Sequence, residues 1–105
     1  MSKRRVFLEK LIAEGSNDPF AHYGLAQEYR SLKRFDESIA TFTRIRDKYP
    51  TYLASYLMMA QLLEERGRPA DASEWCLAGI EYAKLARDAH TIGELESLLE
   101  RVKSA

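Results

Sequence analysis

The sequence predicts an all-α protein built of antiparallel helical hairpins and ending in a C-terminal capping helix. Three observations lead there. Apolar residues recur at helical spacing along the chain, and no stretch alternates with period two. The breaks between apolar stripes are so short that neighbouring helices must turn back on one another. The chain also resembles itself when slid by 34 residues.

Helices are expected at 2–14, 19–32, 35–48, 52–66, 69–86 and 89–103. The first carries Leu8 and Leu11. The second opens at Asp18-Pro19, an N-cap followed by a proline whose missing N–H costs nothing in the first turn, and carries Leu25, Tyr29 and Leu32. Ile39, Phe42 and Ile45 mark the third. Pro50-Thr51 precedes the fourth, with Thr51 as the expected cap and Met59, Leu62 and Leu63 as the stripe. Arg68-Pro69 opens the fifth, which carries Leu77, Ile80 and Tyr82. Asp88 caps the sixth, where Ile92, Leu95, Leu99 and Val102 form one apolar face. Glu94, Glu96, Glu100, Arg101 and Lys103 cover the remainder of that helix.

Composition narrows the classes further. A chain of 105 residues has room for one domain, and no linker or low-complexity run divides it. The hydrophobic share of 46% is too high for intrinsic disorder, and a mean hydropathy of −0.41 is too low for a membrane protein. A single cysteine allows no intrachain disulfide and points to a reducing compartment. The basic start Lys3-Arg4-Arg5 resembles a signal peptide only superficially, because Glu9 and Lys10 interrupt the apolar run that follows. A cytoplasmic, unprocessed chain is expected. Charge sums to zero, but residues 1–52 carry 10 basic and 7 acidic side chains, whereas residues 53–105 carry 6 basic and 9 acidic. Such asymmetry at the surface is read as solvated charge.

At the 34-residue offset Ala26-Gln27 falls on Ala60-Gln61, Leu25 on Met59, Tyr29 on Leu63, and Ser38 on Ala72. Residue size matches wherever two paired helices must touch. His22, Leu25, Ala26, Tyr29, Ser38, Phe42, Ile45 and Pro50 make one series of positions; Tyr56, Met59, Ala60, Leu63, Ala72, Cys76 and Gly79 make the next, with Gly67 at the turn. In these residues the chain resembles the tetratricopeptide repeat family, whose pattern is W-x₂-L-G-x₂-Y on a first helix, then small, aromatic, small and a closing proline on a second. The resemblance implies a right-handed solenoid with repeats at 19–52 and 53–86, an N-terminal half-repeat at 1–18 and a capping segment at 87–105.

The departures from that pattern are specific. His22 and Tyr56 replace the motif tryptophan, and Lys33 replaces the turn glycine of the first repeat. Lys84 stands where the second repeat should close with proline, so the fifth helix is expected to run on towards Arg87. Leu8 and Leu11 lie 34 residues before Phe42 and Ile45, although Arg4 stands where that half-repeat wants a small residue.

No residue constellation supports catalysis, and no enzyme activity, metal or cofactor is expected. The chain has no Gly-rich phosphate loop, His-Glu-x-x-His or Cys-x-x-Cys. His22 and His90 lie 68 residues apart, twice the repeat, and are expected to fill packing slots without a carboxylate partner on the next turn. Cys76, between Trp75 and Leu77, reads as a buried small hydrophobe. Lys3-Arg4-Arg5 alone offers too few phosphate contacts for nucleic acid. Glu64-Glu65-Arg66 and Glu94-x-Glu96 lack the spacing of a calcium loop.

In the resembled family the first helix of each pair lines a concave groove. That implies a peptide-binding strip of Phe20, Tyr23, Gln27 and Arg30 on one helix, and of Ala54, Leu57, Gln61 and Glu64 on the next. Apolar anchors and backbone-bonding amides suit a peptide segment. The family's clamp for chaperone tails uses Lys, Arg and Asn; Tyr23, Gln27 and Met58 stand at three of its places, so that co-chaperone role is disfavoured. The expected function is a non-enzymatic interaction module whose partner is another protein or peptide, with no nucleic acid and no membrane. The alternative is a structural subunit that self-assembles weakly through its terminal helices.

Overall fold

The computed structural model describes residues 2–104. Among them are six α-helices and no strand: α1 Lys3–Ala13, α2 Pro19–Ser31, α3 Phe35–Lys48, α4 Ala54–Glu65, α5 Pro69–Leu85 and α6 Ala89–Lys103. The chain divides into two compact units, one up to Tyr49 and one from Pro50 onward.

In the first unit α2 packs against both α1 and α3. Leu8 of α1 joins Ala21, Leu25 and Tyr29 of α2 in one buried cluster, with Leu11 and Ile12 packed beside it. Polar ties add to this apolar contact. The Tyr29 hydroxyl donates to Glu9 Oε2 at 2.8 Å, and Ser2 Oγ donates to Glu28 Oε1 at 2.6 Å. Arg4 therefore does not prevent docking: its side chain stays in solvent, with Nε 3.8 Å from Glu28. On the other side of α2, Ser38 of α3 is fully buried and donates from Oγ to the carbonyl of Ala26 at 2.7 Å. A larger residue at either place would hold the helices apart.

The second unit repeats the pairing in α4 and α5, where Ala60 and Ala72 are completely buried. Here α6 packs on α5 and also reaches α4. Leu95, Leu98, Leu99 and Val102 of α6 are buried; Leu98 was not in the sequence-read stripe, whereas Ile92 is only half-buried. Two other stripe residues are corrected. Leu77 is 52% exposed and Leu32 is 40% exposed, because the buried face of α5 runs through Trp75, Cys76, Gly79 and Ile80, and Leu32 is already the C-cap of α2.

Side-chain caps account for three of the six described helix starts. Asp18 accepts from the Phe20 amide at 2.9 Å, and Asp88 accepts from the Thr91 amide at 3.0 Å. Ser2 caps α1 by accepting from the Arg5 amide at 3.1 Å. Thr51 is not a cap: α4 begins later, with Leu53 in the N-cap place and no side-chain bond. At 17 residues α5 outruns the 14 of α3, consistent with Lys84 in place of proline.

Four helices end in the same turn. Gly15, Lys33, Gly67 and Arg87 have φ of 91°, 61°, 73° and 56°, and the residue after each donates back to a carbonyl five residues earlier. This is the Schellman ending, which favours glycine at the left-handed residue. The left-handed backbone costs an L-residue about 1–2 kcal/mol, against about 0.5–1 kcal/mol of extra entropy that glycine loses on folding. Lys33→Gly and Arg87→Gly are therefore each expected to stabilise the protein by about 0.5–1 kcal/mol. Chemical denaturation checks this; a lowered midpoint would show that the lysine or arginine side chain makes a contact worth more than the strain.

Gly79 sets a closer limit. A Cβ at this position would lie 2.7 Å from Tyr56 Cβ and 2.9 Å from Leu95 Cδ1, so α4, α5 and α6 converge on a missing side chain. Alanine normally gains about 1 kcal/mol over glycine inside a helix. Here Tyr56 Cβ is anchored to the backbone and cannot swing aside, so overpacking wins. Gly79→Ala is expected to lower stability by about 1–2 kcal/mol, read as a lower denaturation midpoint; an unchanged midpoint would show that the three helices separate without cost.

Candidate functional site: the outer faces of α2 and α4

The strip on α2 is set by spacing. Phe20, Tyr23, Gln27 and Arg30 stand at i, i+3, i+7 and i+10, so they share a face that turns away from the buried stripe of Leu25, Ala26 and Tyr29. Phe20 is 63% exposed at the start of the helix, directly after the Asp18 cap and Pro19. Tyr23 is half-buried, its ring edge-on to Phe42 with centroids 6.2 Å apart. Its hydroxyl accepts from Gln27 Nε2 at 3.4 Å, while Gln27 Oε1 is buried with no hydrogen-bond partner in the structure. The exposed ring of Phe20 can anchor a partner's side chain, while the Gln27 amide, two turns further along the same face, is oriented by the Tyr23 phenol.

On α4, Leu57, Gln61 and Glu64 share a half-buried face. Ala54 begins the helix and is exposed. Glu64 is not left to solvent. Arg101 of α6 grips it with both prongs of its guanidinium, Nε and Nη2 lying 2.7 and 2.8 Å from the two carboxylate oxygens. Those hydrogen bonds hold the Glu64 carboxyl below its usual range. Arg101 lies 37 residues away in sequence, and no helical period connects positions at that distance. The α6 helix therefore both covers α5 and neutralises one end of the α4 face.

The histidines separate. His22 is half-buried, with Nε2 3.2 Å from the Ser16 carbonyl and its ring 5.5 Å from that of Tyr49, in keeping with a packing slot. His90 is not in such a slot. It is exposed on the first turn of α6, with Nε2 3.1 Å from Glu94 Oε1, the carboxylate one turn on. Tyr56 fills the other tryptophan position. Its ring stacks on Tyr82 and tilts against Trp75, each with centroids 5.8 Å away, and its hydroxyl donates to the Pro50 carbonyl at 2.6 Å. Among the described residues no group of three or more His, Cys, Asp or Glu side chains is placed to hold a metal ion. No described helix is long and apolar enough to cross a membrane.

The geometry of paired helices, small residues at their crossings and a 34-residue offset is that of a known repeat. A model of the tetratricopeptide repeat matches residues 23–89, most of the chain. The chain belongs to the tetratricopeptide repeat family. Its structure is similar to the solution structure of a tetratricopeptide repeat domain protein from Salinibacter ruber, with 28% identity, 83% of this chain and 88% of that chain covered, and a TM-score of 0.79. It is also similar in fold to a Bordetella parapertussis protein, with 23% identity, 99% and 90% of the two chains covered and a TM-score of 0.82. The TPR2B domain of yeast Sti1, in its complex with pHsp70, shares the fold at 18% identity, with 95% of this chain and 80% of that chain covered and a TM-score of 0.85. No significant match to a curated protein accompanies these. Tetratricopeptide repeats in general mediate contacts between proteins.

Within this family member the cysteine is inert by construction. Cys76 is completely buried, and that burial pushes its thiol up to about 11. A raised thiol pKa means that below the unfolded value of 9.0 both states are protonated and nothing is lost. As pH climbs from there towards 11 the unfolded chain ionises first, and stability falls. The wild type should therefore lose more stability over that window than Cys76→Ala does, measured as the difference in denaturation free energy against pH. Equal losses in the two proteins would place the thiol in contact with water.

Proposed function

We propose that this tetratricopeptide repeat protein is a non-enzymatic interaction module that holds a peptide segment of a partner protein on the outer faces of its first helices. Phe20, Tyr23, Gln27 and Arg30 on α2 and Leu57, Gln61 and Glu64 on α4 make the contacts. The observation that carries this reading is Phe20, a large apolar ring left 63% exposed on the helix face that also bears Tyr23 and Gln27. Scattered surface hydrophobics are ordinary; one aligned at helical spacing with a half-buried tyrosine and an oriented amide is a recognition strip. The yeast neighbour is a domain in complex with pHsp70. Here Tyr23, Gln27 and Met58 do not supply the cationic clamp of chaperone-tail binders, so a different peptide chemistry is expected.

The alternative, a subunit that self-assembles through its terminal helices, draws support from Val6 and Phe7, both exposed on α1. Light scattering over a concentration series distinguishes the two, since a peptide holder remains monomeric.

Tyr23 contributes to packing through Phe42, so Phe20 is the cleaner test. Phe20→Ala is expected to shift stability by no more than about 0.5 kcal/mol. It should weaken partner binding by more than about 1 kcal/mol. The readouts are the melting transition and the retention of partners in affinity co-purification of the tagged protein. Partners retained undiminished by a folded Phe20→Ala protein would remove the α2 face from the interface.

A further inference from the structure

Two basic stretches that are separate in sequence, Lys3-Arg4-Arg5 and Lys33-Arg34, come together in the first unit. The start of α1 and the turn after α2 border one open pocket of about 430 Å³, lined by Ser2, Arg5, Leu32 and Arg34. Lys3, Arg4 and Lys33, chain neighbours of these lining residues, are exposed. Two guanidiniums, of Arg5 and Arg34, thus line one cavity, and three further cations are their neighbours in the chain.

Three carboxylates are interleaved with them. Glu9 takes Arg5 Nη1 at 3.1 Å, Glu37 takes Arg34 Nε and Nη2 at 2.6 Å each, and Glu28 lies 3.8 Å from Arg4. These pairs fix the guanidiniums in place. A guanidinium has five N–H donors; Arg5 uses Nη1 and Arg34 uses Nε and Nη2 in these pairs, and the Arg34 side chain is 38% exposed. Arg34 is further held over the Tyr29 ring, with its carbon 5.1 Å from the centroid. Leu32, 40% exposed, supplies an apolar wall, and the Ser2 hydroxyl at the rim donates to Glu28.

We propose that this pocket is a second binding site, distinct from the α2 strip, which takes a side-chain carboxylate of an acidic protein segment together with an adjacent apolar side chain. Planar guanidiniums match carboxylates, and the volume falls in the range of small-ligand pockets, about 300–1,000 Å³. The interleaved Glu9, Glu28 and Glu37 disfavour a nucleic acid, whose phosphates follow one another every ~1.7 Å of helix axis. Discrete carboxylates spaced by leucines avoid those three groups and use the Leu32 wall.

The test is a titration of ¹⁵N-labelled protein with the capped peptide GEELEELEEG, followed by amide chemical shifts. Saturable shifts confined to Ser2–Arg5 and Leu32–Arg34, weakening as salt rises, are expected. Lys3→Glu/Lys33→Glu reverses two exposed charges and should weaken the peptide about tenfold at unchanged melting temperature. Arg5→Gln/Arg34→Gln should abolish binding, and Phe20→Ala should leave it intact, which separates this site from the α2 strip. Absence of shifts at millimolar peptide overturns the proposal, as do shifts confined to the α2 strip or affinity indifferent to the charge reversal. So does tighter binding of a DNA duplex, or equal competition by inorganic phosphate, which would make the pocket a simple anion site.

Discussion

The helices paired within each repeat cross where their side chains are small, and the rest of the structure depends on that constraint. Ala26 opposes Ser38 closely enough for a 2.7 Å hydrogen bond from side chain to backbone. One repeat later Ala60 and Ala72 are sealed from solvent in the same positions. Gly79 extends the principle to a third helix, since Tyr56 and Leu95 occupy the space its side chain would need. Dense interiors transmit any added volume as displacement, so these positions fix the spacing at which the large residues are buried, Phe42 and Ile45 in the first unit and Leu62 and Leu63 in the second.

Because the small positions hold the paired helices by one face, the strips of α2 and α4 fall on another face that is at most half-buried. Phe20 stays in solvent for that reason, while Tyr23 is half-buried with its ring edge-on to Phe42. A rigid helix that presents half-held aromatic and amide groups loses little entropy when a partner docks. The α4 face differs because α6 returns to it through Arg101, so the charge of Glu64 is already spoken for. Both faces bear an amide, Gln27 or Gln61, but one is otherwise aromatic and the other aliphatic with a neutralised acid.

Polar interactions have a supporting part. Tyr29, whose hydroxyl is shifted up chiefly by burial and then by its bond to Glu9, ties α1 to α2 at a place where the apolar contact is small. Arg34 lies across the same ring while holding Glu37. Net hydrogen bonds of this kind contribute about 1 kcal/mol each, so they orient α1 in addition to the packing of Leu8, Leu11 and Ile12.

Much of the fold was legible in residue spacing. Every small, aromatic and aliphatic position of the two motif series from Leu25 to Ile45 and from Tyr56 to Gly79 is buried, because a 3.6-residue period and a 34-residue offset are local properties that the chain carries in its order. The helix starts at Asp18 and Asp88 were legible for the same reason: a cap acts over three residues. What lies between distant residues was not legible. The exposure of Leu77 and Leu32, the burial of Leu98, the grip of Arg101 on Glu64 and the meeting of Arg5 with Arg34 depend on how helices are rotated and set against each other. His90 shows both limits, since its partner Glu94 stands one turn on but its exposure is decided by which side of α6 meets α5. The sequence by itself determined which residues could form helices and which could face a neighbour. Only the tertiary structure decided which charged and apolar groups met across them, because those contacts are made through space at separations that no helical period encodes.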